Sequence, residues 1–336
     1  MADLYWVAGT GNWTTAASWS DVSGGSGTAS AAPVETTNVH FDVNSFPAGG
    51  TATVNATAEC LDMDWTGATN TPTLTVSSAV SVYGSVTFIA AMVMTGAQNV
   101  SFWGTGKTIT TNGLTITVGL IIRDGASITL SDNYTTTGAG GDILTYGATL
   151  NTNGKTVSCN QFYGNATAKT VTLGASSITC KSWDFSAGGL TLTANNATIN
   201  VTGTGTFAGG AVTTYNNINL NGTAHTLSGD WTCNLLRLKP ATVQTITGTA
   251  GQVITVRCLD IPSHGKNVIT LTGAGAWTIQ GNRGYFEGDY LNLTNVVVGW
   301  KYLYYAGDHS TDGGGNTNWI FRRVIRPSIR PRIGVR

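Results

Sequence analysis

The sequence predicts an all-β chain, a right-handed parallel β-helix (β-solenoid) with aromatic-rich terminal caps and an extended C-terminal arm. Three observations carry that expectation: a glycine-rich and charge-poor composition, a short apolar–polar–apolar phrase restated along the chain, and a quasi-period near twenty residues. Of 336 residues 44 are Gly and only 10% are charged, against about 7% and about 25% in ordinary soluble domains. Helices built from so much Gly, Thr, Asn and Ser would be weak. Hydrophobic residues reach 41%, with 10 Trp, 11 Tyr and 9 Phe, so there is material for a large core and global disorder is disfavoured.

From residue 74 onward the phrase recurs, as in Leu74-Thr75-Val76, Val86-Thr87-Phe88, Ile128-Thr129-Leu130, Leu190-Thr191-Leu192 and Ile269-Thr270-Leu271. Period-two alternation rich in β-branched residues predicts short strands with one buried face. Leu130, Leu150, Leu173 and Leu192 recur at coil-like intervals, which predicts stacked coils. Cys159, Cys180 and Cys233, each followed closely by Phe162, Trp183 or Leu235, are expected to stack along the axis. Thr-Asn-Gly at 111–113 and 152–154, and Asn195-Asn196, mark the bends. Asn tolerates left-handed backbone angles, and its amide is expected to ladder with the Asn above. Coils of about 21 residues would put roughly nine in residues 110–300, a column near 43 Å long at ~4.8 Å per rung. The alternative, a β-sandwich, calls for Asn-Gly hairpins between long strands, and these are scarce.

Uncapped end coils would present unpaired strands to other molecules. The aromatic ends answer that need, with Tyr5, Trp6, Trp13, Trp19 and Phe41 in front and Trp300, Tyr302, Tyr304, Tyr305, Trp319 and Phe321 behind. The expected organisation is a capping region over 1–70, a solenoid body over 71–300, a C-terminal cap over 301–321 and a basic arm over 322–336.

The formal charge is zero, but seven carboxylates precede the first basic residue, Lys107, and six Arg with no carboxylate fill the last 15 residues. An acidic rod with a basic end results. The arm repeats Ile-Arg-Pro, and Pro327 and Pro331 forbid a helix. Arg322, Arg323, Ile325, Arg326, Ile329, Arg330, Arg332, Ile333 and Arg336 are the expected partner-binding residues. Ile would enter pockets and Arg would meet carboxylates or phosphates; a solvated tail is the bland alternative. Nucleic acid is disfavoured, because no aromatic residues interleave the basic ones. No apolar run is long enough for a membrane span, and the opening residues lack the pattern of an export signal. Five widely spaced Cys predict reduced thiols made in a cytosol.

Catalytic signals are thin. Glu59, Asp62 and Asp64 cluster, and Asp62 and Asp64 share one strand face about 7 Å apart. Glu287 and Asp289 repeat that spacing beside Tyr285, Phe286 and Tyr290. Either pair, Asp62 with Asp64 or Glu287 with Asp289, is therefore a candidate glycan-binding, hydrolytic or cation surface, with solvated strand carboxylates as the bland alternative. Asp308, Ser310, Asp312 and Asn316 around three Gly could bind calcium, but a turn closing the last coil fits the spacing better. The four His are scattered and no hydrolase or zinc motif accompanies them. No metal, no cofactor and no enzymatic activity is expected.

Two end motifs carry a resemblance. The opening Tyr5-Trp6-Val7-Ala8-Gly9-Thr10-Gly11-Asn12-Trp13, with Trp19, Pro33 and Val39-His40-Phe41-Asp42, resembles the start of repetitive β-solenoid virion structural proteins of tailed bacteriophages. The closing Tyr305-Ala306-Gly307-Asp308-His309-Ser310-Thr311-Asp312, followed by Gly313-Gly314-Gly315-Asn316-Thr317-Asn318-Trp319-Ile320-Phe321, resembles the end of the same group. The resemblance implies a structural protein on the virion exterior: a capsid decoration or head fibre, or a tail fibre or spike, assembled in the host cytoplasm. Its implied partners are other capsid or tail proteins and copies of itself, as a homotrimer, with a host surface glycan as a further candidate. The alternatives are a tail-spike polysaccharide depolymerase and a bacterial surface adhesin. The basic arm lies beyond the motif and departs from the group.

Overall fold

The computed structural model describes residues 2–27, 29–138, 140–211, 213–238, 243–261, 267–281, 285–299 and 303–321. The arm residues Arg322, Arg323, Ile325, Arg326, Ile329, Arg330, Arg332, Ile333 and Arg336 lie outside these, as do Trp300, Tyr302 and His264.

The chain winds into a β-solenoid of about 12 turns. One face is a 10-stranded sheet running from Ala2–Trp6 to Leu190–Thr193, with Trp19–Ser20 added at its front edge. A second face begins as a 4-stranded sheet, Gly11–Asn12 to Val93–Gly96, and continues as a 10-stranded sheet from Thr115–Ile116 to Val296–Val298. The third face is a 13-stranded sheet from Ala58–Cys60 to Thr311–Asp312. At ~4.8 Å per rung its twelve intervals make a column about 58 Å long. Nine of its strands fall within residues 110–300, as the repeat length predicts. Every named strand pair is parallel except Ala2–Trp6 with Trp19–Ser20, so facing sheets of hairpins are excluded.

After the longer first coil, ladder partners lie 15 to 25 residues apart, the extremes being Tyr304 with Trp319 and Ile254 with Ile279. The reason is the alternation: apolar residues of each phrase turn inward and their Thr or Asn neighbours outward. Val39, Met63, Val86 and Ile109 form one inward column by direct register. The Leu spacing marked the coil length but not the register. Leu150 pairs with Ile128 and Leu192 with Val171, while Leu130 and Leu173 sit two residues further along. Buried side chains from Leu4 to Ala306 make one continuous core.

The caps are built from the end aromatics. Trp6, Trp13, Trp19, Phe41, Phe46 and Trp65 are all fully buried. Phe41 stacks on Trp65 at 3.7 Å between centroids, and the Trp19 indole N–H donates to the Trp13 carbonyl at 2.8 Å. At the other end Trp319 meets Phe286 and Tyr304 edge-on, at 6.0 and 5.4 Å.

The bends use Asn as expected, but bond differently. Asn112, Asn153 and Asn195 have φ of 50°, 54° and 46°. The Asn112 and Asn153 amides donate to backbone carbonyls of the coil below, Phe88 at 2.8 Å and Leu130 at 3.2 Å. Asn70, Asn295 and Asn318 do the same. A carbonyl at a bend has no strand partner and is the needier acceptor. Asn112→Ala is expected to cost about 2 kcal/mol, from left-handed strain plus one lost hydrogen bond. Asn112→Gly should recover only the strain component, and denaturant midpoints of the two variants check this.

All five Cys are free, four buried and Cys258 exposed. Phe162 and Trp183 stack in register at 4.7 Å, as expected. Cys233 does not join the column; it pairs with Tyr215 and Val256 in a different kind of strand.

That strand type begins at residue 213. Thr213–Leu220, Trp231–Leu238 and Val253–Asp260 are 8 residues each, and every one replaces two short strands and their turn. In the middle one Trp231 and Cys233 face inward, Asn234 and Leu235 are both half-buried, and Leu236 and Leu238 face inward again. The register breaks there too: Tyr215 pairs with Cys233, and the next pair is Asn217 with Leu235. The following pair of strands skips in the same place, from Cys233–Val256 to Leu235–Cys258. Asn216, Asn234 and Arg257 fall between ladder pairs and stand one above another at the bend, each strand stepping over one residue so that the register is kept on both sides.

Candidate functional site

The bend shapes two adjoining recesses in the outer surface. One, of about 570 Å³, is lined by Asn195, Asn196, Thr214, Asn216, Thr232 and Asn234 with Arg257. The other, of about 650 Å³, is lined by Asn217, Arg237, Cys258 and Asp260 and reaches Phe286 and Tyr304. Asn234 and Arg257 belong to both, so the two form one trough.

Its polar groups are placed by register. Thr214 sits beside Thr232, and Thr232 beside Thr255. Asn219 sits beside Arg237, and Arg237 beside Asp260. Outward side chains on neighbouring rungs are close enough to pair. The Arg237 Nε donates to Asp260 Oδ2 at 2.6 Å, both side chains remaining partly exposed. Arg257 donates through Nη1 to Asn234 Oδ1 at 3.2 Å and has no carboxylate partner among the described residues. The described residues hold seven Lys and Arg against all 17 Asp and Glu. The trough therefore gathers two of the few cations on an acidic body.

The carboxylates singled out from the sequence are elsewhere and are engaged. Asp62 and Asp64 flank buried Met63 and face outward together, as expected. Asp62 accepts the Ser85 N–H at 2.6 Å from the next coil, and Asp64 accepts Thr66 N–H at 2.8 Å in a local turn. Glu59 accepts a long bond from the Tyr83 hydroxyl at 3.4 Å. Asp289 accepts from His309 Nδ1 at 2.7 Å and from the His309 and Tyr290 amides, each at 2.9 Å. Burial alone would raise its pKa, but these bonds outweigh it and hold the carboxyl below its ordinary value. Glu287 lies in the C-terminal sheet opposite Tyr305, so the two pairs stay separate, one near each end of the rod. Asp312 accepts from Gly314 N–H and the Asn316 amide, the Asx turn expected to close the last coil. Among the described residues no group of three or more His, Cys, Asp or Glu could hold a metal.

A second outer feature is a ladder. Tyr83 stacks on Trp103 at 6.3 Å, and the Arg123 guanidinium lies 5.5 Å from Trp103 and 5.3 Å from Tyr146. Its ring faces are turned to one another along the axis, which leaves edges outward.

Sequence reasoning missed the trough. Its signal was present: Asn216-Asn217, Asn234-Leu235 and Arg257-Cys258 break the alternation at one offset in three successive strands.

No family model, curated protein or solved structure matches the chain. Among the described residues no helix is long and apolar enough to cross a membrane.

Proposed function

We propose that the chain is a structural protein on the exterior of a tailed-bacteriophage virion, a capsid decoration, head fibre or tail fibre. The solenoid is its stiff body and the Arg/Ile arm its anchor. The 13-stranded parallel ladder that runs through nearly the whole body supports this most directly, because a rod tied by main-chain pairing resists bending and proteolysis. The phage attribution rests on the two terminal motifs, and both are working parts of the ends. The opening one supplies Trp6, Trp13 and Trp19 to the first cap, and the closing one supplies Asp312, Asn316 and Trp319 to the last coil. A depolymerase would draw on Asp62 and Asp289, whose carboxylates here serve the backbone and His309.

Mass spectrometry of purified particles tests the proposal. The chain is expected in the particles, and deletion of 322–336 is expected to strip it from them while the rod still folds. A chain found only in host fractions would overturn the virion role, and a truncated chain at normal occupancy would overturn the anchor.

A further inference from the structure

We propose that the trough over the bent coils binds a saccharide chain bearing carboxylate groups. The inference is independent of where the protein resides, since it concerns the isolated chain.

Three properties of the lining point to that chemistry. Arg257 commits one N–H to Asn234 and has no carboxylate partner among the described residues, which leaves the rest of a permanently charged, planar fork for a carboxylate. Around it stand the amides of Asn195, Asn196, Asn216 and Asn234 and the hydroxyls of Thr214 and Thr232. Amides and hydroxyls both donate and accept, as sugar hydroxyls do. The side chains also repeat once per rung, at ~4.8 Å, a pitch close to one unit of an extended pyranose chain.

The alternatives fit less well. A protein partner would seek buried aromatic or aliphatic anchors; the Arg257 end of the trough offers amides and hydroxyls instead, while Leu235, Leu259 and Phe286 at the other end give apolar surface against which sugar rings can lie. A neutral glycan would gain nothing from Arg257. The surrounding body is acidic overall, with seven described Lys and Arg against 17 Asp and Glu, so a polyanion is drawn to the few cations it carries, and the trough holds two of them, Arg237 and Arg257. Arg237 is already matched by Asp260, which makes Arg257 the recognition charge and the Arg237–Asp260 pair part of the wall.

Cys258 lies in the trough beside Arg257 and is the one exposed cysteine, which supplies a site-specific reporter. The full chain is titrated by calorimetry with polygalacturonate, alginate and polysialic acid, with dextran as neutral control and poly-glutamate as a peptide polyanion. In parallel, the alkylation rate of Cys258 is followed. At least one acidic polysaccharide is expected to bind and to slow alkylation. Arg257→Gln should weaken that binding about tenfold or more with an unchanged thermal midpoint, and Arg257→Lys by less, since it keeps the charge but loses the fork. Asp62→Asn should leave affinity unchanged. Binding of none of the three polysaccharides, equal binding of dextran or poly-glutamate, unprotected Cys258, or full affinity in Arg257→Gln would each overturn the proposal. Should Arg257→Gln fold poorly, Thr232→Val, which keeps the shape and removes a hydroxyl, is expected to weaken binding in its place.

Discussion

Raising the pH above about 9 is expected to unfold this protein, because its buried thiols resist ionisation while those of the unfolded chain do not. Burial pushes Cys180 and Cys233 from 9.0 up to about 12. Cys60 and Cys159 are raised in the same direction, chiefly by burial and then by neighbouring groups. A group whose folded pKa lies above its unfolded one contributes its full stability below the unfolded value. That contribution is lost as pH climbs toward the folded value. Each thiol then costs about 1.4 kcal/mol per pH unit. Cys180 and Cys233 alone remove about 5 kcal/mol by pH ~11, the lower end of a domain's whole stability, and Cys60 and Cys159 act in the same sense. Burial raises Tyr134 and Tyr215 as well, so they act in the same sense at higher pH. Lys169 acts oppositely: its pKa is lowered by burial, so it favours the folded state more as pH rises, one group against eight once Tyr83 and Tyr163, also raised chiefly by burial, are included. Urea midpoints measured from pH ~7 to ~11 should fall steeply, and replacing Cys180 and Cys233 with Val should move the fall upward. A flat profile, or one unmoved by the double substitution, would falsify this account.

Trp65→Ala is expected to have the next largest effect, about 3–5 kcal/mol. Trp65 is fully buried, and its ring lies 3.7 Å from Phe41 and 5.8 Å from Phe46 between centroids, nearly parallel to both. It is the layer on which the first cap rests, and removal leaves a hole that rigid ladders on three sides cannot close. In a solenoid each coil touches only its neighbours, so damage should stay local. Hydrogen exchange should quicken over residues 2–65 while strands such as Ser177–Cys180 keep their protection. Uniform loss of protection along the rod would show the coils to be one cooperative unit instead.

The fold class was legible because two short-range signals agreed: period-two phrases fixed what faces inward, and their spacing fixed the coil. Register was less legible. A coil can offer more than one aliphatic residue to a column, and only backbone pairing chooses Val171 over Leu173 as the partner of Leu192. The bends were legible as left-handed Asn, but not the acceptor, because which carbonyl lies under each amide depends on the coil below. The carboxylates misled for a related reason: Asp62 and Asp64 share a face in sequence, yet Asp64 is taken up by its own Asx turn through Thr66 and Asp62 by the Ser85 N–H of the next coil, which local spacing does not reveal. The trough was readable only by aligning three strands, since one doubled polar pair alone looks like the end of a strand.

Strand partners that sit a whole winding apart also govern how such a chain can be lengthened or shortened. Excising one full winding lets the severed neighbours meet with Leu over Leu and Thr over Thr, whereas excising half of one sets the wrong faces together. Gene segments of this kind are therefore free to gain or shed material in whole-winding increments, and the rod's reach becomes a heritable dial that can be turned without redesigning either end.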